Sequence, residues 1–274
     1  MRQLLLVSLA SATLLSADAN AQFNKLFDLA TKVVKATTGP SESDEIAMGQ
    51  TFAATLLGAK PLLNNPAIQS YVNQLGLWLA LQTSRPDLPW TFGVLDDTGF
   101  NAFATPGGNI LITKGLLLRI KTEAELAGVL AHEIAHVVQK HHLNAMKKNA
   151  LLSTGKDIYE ASSGANPLAK EVIGNLAKEI LAKGLDKSDE FEADSEGVKI
   201  AARAGFDPYG LPAVLQTLQA QSATDNGFEL MFSTHPAPQD RLQKLEAIMG
   251  GKFEKIGGVS GSNLAQRLPD LNMK

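Results

Sequence analysis

The sequence predicts a mainly α-helical domain with a small β-sheet, an α+β fold, and three observations lead there. From about residue 115 to 249 apolar residues recur at helical spacing with few interruptions. Only two short stretches read as strands, 90–95 and 109–113. At 274 residues, 45% hydrophobic and 19% charged, the chain is globular and long enough to bury one sizeable core.

Taken in order, the N-terminus reads as a secretory signal peptide over residues 1–21. Arg2 supplies the positive start, Leu4 to Leu15 the apolar run, and Ala19-Asn20-Ala21 the cleavage site. Export to a bacterial periplasm is therefore expected. Residues 22–40 follow as an amphipathic helix and linker, with Phe23, Leu26, Phe27, Ala30, Val33 and Val34 at helical spacing ahead of Gly39-Pro40. The main domain is expected over 41–249. Helices are predicted at about 44–58 and 66–83, the two strands flank a turn at Pro106-Gly107-Gly108, and helices follow at about 122–142, 144–162, 167–183, 188–204, 208–221 and 237–249. Residues 250–274 lack periodicity and read as a tail.

Composition narrows the function. The net charge of −3 gives no support for binding nucleic acid. No apolar run after the signal approaches the ~18 residues a membrane span needs. The chain has no cysteine, so His and carboxylates are its only strong metal ligands.

Those ligand types occur in one informative pattern. Thr122 and Glu125 form a capping box that opens a helix, and on it His132 and His136 stand at i and i+4, projecting from one face. Leu126, Leu130, Ile134 and Val137 lie on the other side and can bury the helix. Such a pair suits Zn²⁺. Glu133, one step round, can hold the attacking water, take its proton as general base and pass it to a leaving amine, while zinc lowers the water pKa to about 7 and polarises the scissile carbonyl.

A catalytic zinc needs a third protein ligand. His142 stands where a third histidine follows some zinc motifs, but Gln139 replaces the glycine that would turn the chain back, so a continuing helix would point His142 away. Glu160 and Glu190 are the carboxylate candidates. Glu190 and Asp194 share a face at i and i+4, so Glu190 could bind metal while Asp194 accepts a ring N–H from a ligating histidine. Glu192 points elsewhere, toward solvent. An ordinary acidic first turn would also explain this segment.

Four blocks in this order resemble the zinc metalloprotease family of HtpX, BepA and the CAAX prenyl protease: 101–108 (Asn-Ala-Phe-Ala-Thr-Pro-Gly-Gly), 132–136, 190–194, and Ser233-Thr234-His235-Pro236. The resemblance spans about residues 41 to 249 and implies a compact gluzincin-like zinc metallopeptidase domain with an active-site helix and an edge strand. It implies one Zn²⁺ on His132, His136 and Glu190, Glu133 as base, and Asn101, Ala102, Phe103 and Ala104 along the substrate edge. His235, held extended by Pro236, would lie near the metal, to stabilise an oxyanion or to occupy the open position. Arg241 would orient nearby carboxylates. One departure is Asp186-Lys187 where the family commonly has Ser-Arg.

The function so implied is zinc-dependent endopeptidase action on unfolded or misassembled envelope proteins, with contact to outer-membrane assembly machinery and association with a membrane surface as further expectations. The alternative is a zinc-bound latent protein that binds envelope proteins as a chaperone does.

Overall fold

Glu42, Asp44 and Glu45 load the first turn of helix α1 (Glu42–Ala59), where they suit the helix dipole, and Met48, Phe52 and Leu56 recur on its buried face. This is the first element of the computed structural model, which describes residues 40–152, 183–221 and 227–254, with single positions at 175, 178, 179, 256, 258–261, 263 and 264. Residues 1–21, read as a signal peptide, residues 22–39, most of the helix expected at 167–183 and the later part of that expected at 144–162 fall outside the described residues.

Asn65 caps helix α2 (Pro66–Ala80) by accepting from the Ile68 amide, and Pro66 sits at its first turn. Strands β1 (Thr91–Leu95), β2 (Ala102–Thr105) and β3 (Asn109–Thr113) form a sheet in the order β1-β3-β2. β1 runs parallel to β3, and β2 pairs antiparallel with it, Ala104 facing Ile110 and Thr105 facing Asn109. Gly107 and Gly108 make the β2–β3 turn at φ of 75° and 102°, a conformation that glycine adopts without strain. β2 is thereby left on the sheet edge.

Thr113 caps a short helix, α3 (Lys114–Leu117), and Thr122 caps α4 (Glu123–Val138). The Thr122 hydroxyl accepts from the Glu125 amide at 3.2 Å, and the Glu125 carboxylate reaches back to the Lys121 amide at 2.8 Å. α4 is the centre of the domain, packed against α2, β2 and β3 and against two later helices, α6 (Lys187–Arg203) and α7 (Gly210–Gln219). Leu126, Leu130 and Ile134 are fully buried, each contributing about 1.5–3 kcal/mol of burial. Burial extends round the whole helix, from Glu123 to Val137, because neighbours enclose every face.

The expected single helix over 122–142 is two helices. α4 ends at Val138, Gln139 caps it, and Lys140 takes a left-handed φ of 61°, the only non-glycine to do so among the described residues. Helix α5 (His141–Leu152) starts on the next residue, three before its expected start. Gln139 does not keep the chain helical, since Lys140 makes the turn without glycine, at a cost of about 1–2 kcal/mol.

A buried ion pair fixes this corner. Arg85 grips the Glu45 carboxylate at 2.8 and 2.9 Å and donates to the Val137 carbonyl at the end of α4 at 3.3 Å. Glu45 also accepts from the Gly107 amide at 3.2 Å. One carboxylate thus ties α1 and the β2–β3 turn to the C-terminus of α4.

α6 buries Glu190, Ala193, Asp194, Gly197 and Val198 against α4. Helices α8 (Glu229–Thr234) and α9 (Pro238–Met249) close the domain. Past α9, Val259 bridges to Phe206, Asn263 bridges to Thr122, and Leu264 is buried in the core. Part of the stretch read as a tail is therefore fastened to the domain. Among the described residues no helix is long and apolar enough to cross a membrane.

α6 lies tight against α4 at Gly197, where an added Cβ would stand 2.9 Å from the backbone nitrogen of His132. Gly197→Ala is expected to push the helices apart and destabilise the domain by about 1–3 kcal/mol, read as a lower urea midpoint at unchanged slope.

Candidate metal centre

The i, i+4 spacing on α4 brings His132 Nε2 and His136 Nε2 to 3.1 Å from one another. α6 carries Glu190 across from them: Oε1 lies 3.4 Å from His136 Nε2, and Oε2 lies 3.7 Å from His132 Nε2. From the α8–α9 connection His235 presents its own Nε2, 3.8 Å from Glu190 Oε2. Its backbone is extended, φ −123° and ψ 152°, as the following Pro236 demands. Three ring nitrogens from two separate segments thus face one carboxylate. Glu160, the other carboxylate candidate, lies outside the described residues.

Each ring is aimed by a partner on its other nitrogen. His132 Nδ1 lies 3.0 Å from Asp194 Oδ1, and Arg241 holds Asp194 by two bonds, Nε to Oδ2 at 2.8 Å and Nη2 to Oδ1 at 2.5 Å. His235 Nδ1 meets the Thr234 hydroxyl at 2.9 Å. His136 Nδ1 meets His141 Nδ1 at 2.9 Å. The Thr234 and His141 contacts are absent from the sequence reading. Thr234 was visible in its motif block, adjacent to His235; His141 depends on the Lys140 turn. His142 returns as well, its ring 5.8 Å from that of His136 and edge-on to Phe52 at 6.3 Å. The expectation that it points away assumed a helix that in fact stops.

The donor set fits a small cation. Glu190 is 1% exposed, and its Oε2 has no hydrogen-bond partner among the described residues. A carboxylate oxygen buried without a donor is costly unless a positive charge meets it, and Arg241 Nη1 comes no nearer than 3.9 Å, beyond hydrogen-bond reach. Asp194 can only accept while ionised, so neutral His132 carries its proton on Nδ1 and turns a lone pair toward His136 and Glu190. The separations of 3.1, 3.4 and 3.7 Å bracket the ~3.3 Å edge of a tetrahedron whose metal–ligand distances are about 2.0–2.1 Å. His132, Glu190 and His235 also form a group of donors close enough to hold a metal.

Burial sets the electrostatics. It pushes the Glu190 carboxyl well above the carboxylate range and Glu133 up to about 8, with Arg241 opposing both. It lowers the four rings His132, His136, His142 and His235, the last to about 3. Asp194 goes the other way: burial would raise it, but the Arg241 guanidinium holds it well below its ordinary value. The cleft beside these groups is lined by Asn101 and the edge-strand residues Ala102, Phe103 and Ala104, by Glu133, His136 and Glu190, and by His142, Thr234 and His235.

Residues 66–249 match the family model "Peptidase family M48". The chain belongs to that family. It is 32% identical over 212 residues to the "Beta-barrel assembly-enhancing protease" of Escherichia coli O157:H7, covering 74% of this chain and 43% of that protein. It is 29% identical over 180 residues to the "Mitochondrial metalloendopeptidase OMA1" of Schizosaccharomyces pombe (64% and 51%). It is 28% identical over 176 residues to the "Metalloprotease YcaL" of Escherichia coli K12 (63% and 68%). The chain spans less than half the length of the first of these relatives.

The buried ring of His142 gives this family member a test in acid. Unfolded histidine takes up a proton below about 6.5, and folded His142 only near 4, so the unfolded state binds more protons between those values. Stability is full above that window and falls as pH drops through it, by about 3 kcal/mol from this residue. Urea titrations at pH 7 and pH 4 are expected to show His142→Phe losing correspondingly less stability than wild type.

Proposed function

We propose that this chain is a zinc-dependent endopeptidase of the bacterial envelope. The observation that carries the reading is the convergence of His132, His136 and the donor-less Glu190 oxygen beside Glu133, in a cleft bordered by an edge strand. His132, His136 and Glu190 hold the metal. Zinc bound there acidifies water and polarises a carbonyl. Glu133 accepts the proton of the attacking water at its carboxylate and delivers it to the leaving amine, and a carboxyl that burial pushes toward neutrality suits both roles. Asp194, clamped by Arg241, keeps His132 in the tautomer that leaves Nε2 free for the metal. An extended peptide laid along Ala102, Phe103 and Ala104 gains main-chain hydrogen bonds without strict sequence preference, which suits unfolded polypeptides.

The name of the beta-barrel assembly-enhancing relative supports misassembled envelope proteins as substrates and contact with outer-membrane assembly machinery. The signal-like residues 1–21 support a periplasmic location, where the chain meets both.

His235 favours a second reading, because its Nε2 faces Glu190 within the same group of donors. In that position it would supply a further ligand to a bound zinc and hold the protein latent, as a zinc-bound binding protein. When it swings aside it stabilises the oxyanion instead.

Metal content and casein cleavage, compared across variants, test these roles. Wild type should purify with one zinc, Glu190→Gln should fail to retain it, and Glu133→Gln should keep zinc yet lose ~10²-fold or more in cleavage. Full activity in zinc-loaded Glu133→Gln would remove Glu133 as base. His235→Ala should raise casein cleavage if the resting site is latent and lower it if His235 serves the oxyanion.

A further inference from the structure

The ligand set proposed above leaves one contact without a role, the 2.9 Å approach of His141 Nδ1 to His136 Nδ1. We propose that His141 is a positioning residue that fixes the tautomer and ring orientation of His136 for metal binding, with Glu192 behind it. The inference rests on His136 being a ligand through Nε2.

The chemistry follows from counting protons. A histidine that binds metal through Nε2 carries its proton on Nδ1 and needs an acceptor there. On His132 that acceptor is the Asp194 carboxylate. On His136 the atom in reach is a second imidazole nitrogen, His141 Nδ1. To accept, His141 must leave Nδ1 bare and hold its own proton on Nε2. That Nε2 is buried, lacks a hydrogen-bond partner among the described residues, and stands 3.6 Å from Glu192 Oε2. Glu192 is 57% exposed and free to move the remaining few tenths of an ångström or to reach through a water. The order is therefore His136 to His141 to Glu192, beside His132 to Asp194 to Arg241.

The backbone supports a selected arrangement. Lys140 holds a left-handed φ that a lysine adopts only at a cost, and that turn is what starts α5 at His141 and returns the ring to His136. His141 is 2% exposed, so the contact lies away from solvent that would otherwise serve as acceptor. Glu192 also sits on α6, two residues from Glu190, so one helix supplies both the carboxylate ligand and the end of the relay.

Zinc affinity by chelator competition tests this without reference to catalysis. His141→Leu should weaken zinc binding by about 10- to 100-fold with the far-UV spectrum unchanged. His141→Asn, whose carbonyl oxygen can accept near the Nδ1 position, should restore affinity to within about 3-fold of wild type. Long-range ¹⁵N–¹H spectra of the zinc-loaded wild type should show His136 protonated on Nδ1 and His141 on Nε2. Wild-type affinity in folded His141→Leu would overturn the inference, as would a loss in His141→Asn equal to that in His141→Leu. If His141→Leu fails to fold, the wild-type tautomers decide: a proton on His141 Nδ1 overturns the assignment. Failure of wild type to bind zinc at all would instead overturn the ligand set on which it rests.

Discussion

Glu190 buries a carboxylate oxygen that no donor among the described residues satisfies, with Arg241 Nη1 standing 3.9 Å away. The penalty for such a group is of the order of several kcal/mol, so the surrounding structure either neutralises it with a proton or supplies a cation. Much of the domain can be understood as the apparatus that keeps this oxygen where it is. α6 carries it, Gly197 one helical stretch later lets α6 lie against the α4 backbone at His132, and two histidines on α4 meet it. A metal ion stabilises this arrangement to the extent that it binds the folded state alone, which couples loading to folding.

The three facing rings gain their precision from atoms on their far sides. An imidazole can rotate or exchange tautomers, and either change removes a lone pair from the site. Asp194, His141 and Thr234 each hold one Nδ1, and they come from α6, the start of α5 and the end of α8. The partners differ in kind. Asp194 is charged and locked by a buried guanidinium, whereas Thr234 offers a single hydroxyl that can donate or accept, on the partly exposed ring of His235. The stiffest support lies on a proposed permanent ligand and the loosest on the histidine proposed to move.

Sequence reading recovered what depends on short-range spacing. The i, i+4 pairs His132/His136 and Glu190/Asp194 each share a helix face, Thr122 caps α4, and Pro236 keeps His235 extended. It missed what depends on one backbone angle. The change in direction at Lys140 carries no glycine or proline signal, so 122–142 read as one helix and His142 as turned away. β2 is four residues of Ala-Phe-Ala-Thr whose strand character comes from pairing with β3, and it was legible only through the motif block containing it. α8, six residues between a turn and a proline, is too short to show a period.

The same reasoning explains why α4 lacks a clean polar face. A surface helix carries a solvent side, but α4 is enclosed, and its polar side chains must find partners within the fold. Glu125 does so through the capping box. His132 and His136 do so through Asp194 and His141. Glu133 has burial as the main influence on its proton, and it sits at the wall of the cleft that also holds Glu190 and the edge strand. An enclosed helix tolerates such residues only where the surrounding network is complete. The polar residues of α4 are therefore best read together with the partners that α2, α5, α6 and α9 bring to them, because no single segment contains the site.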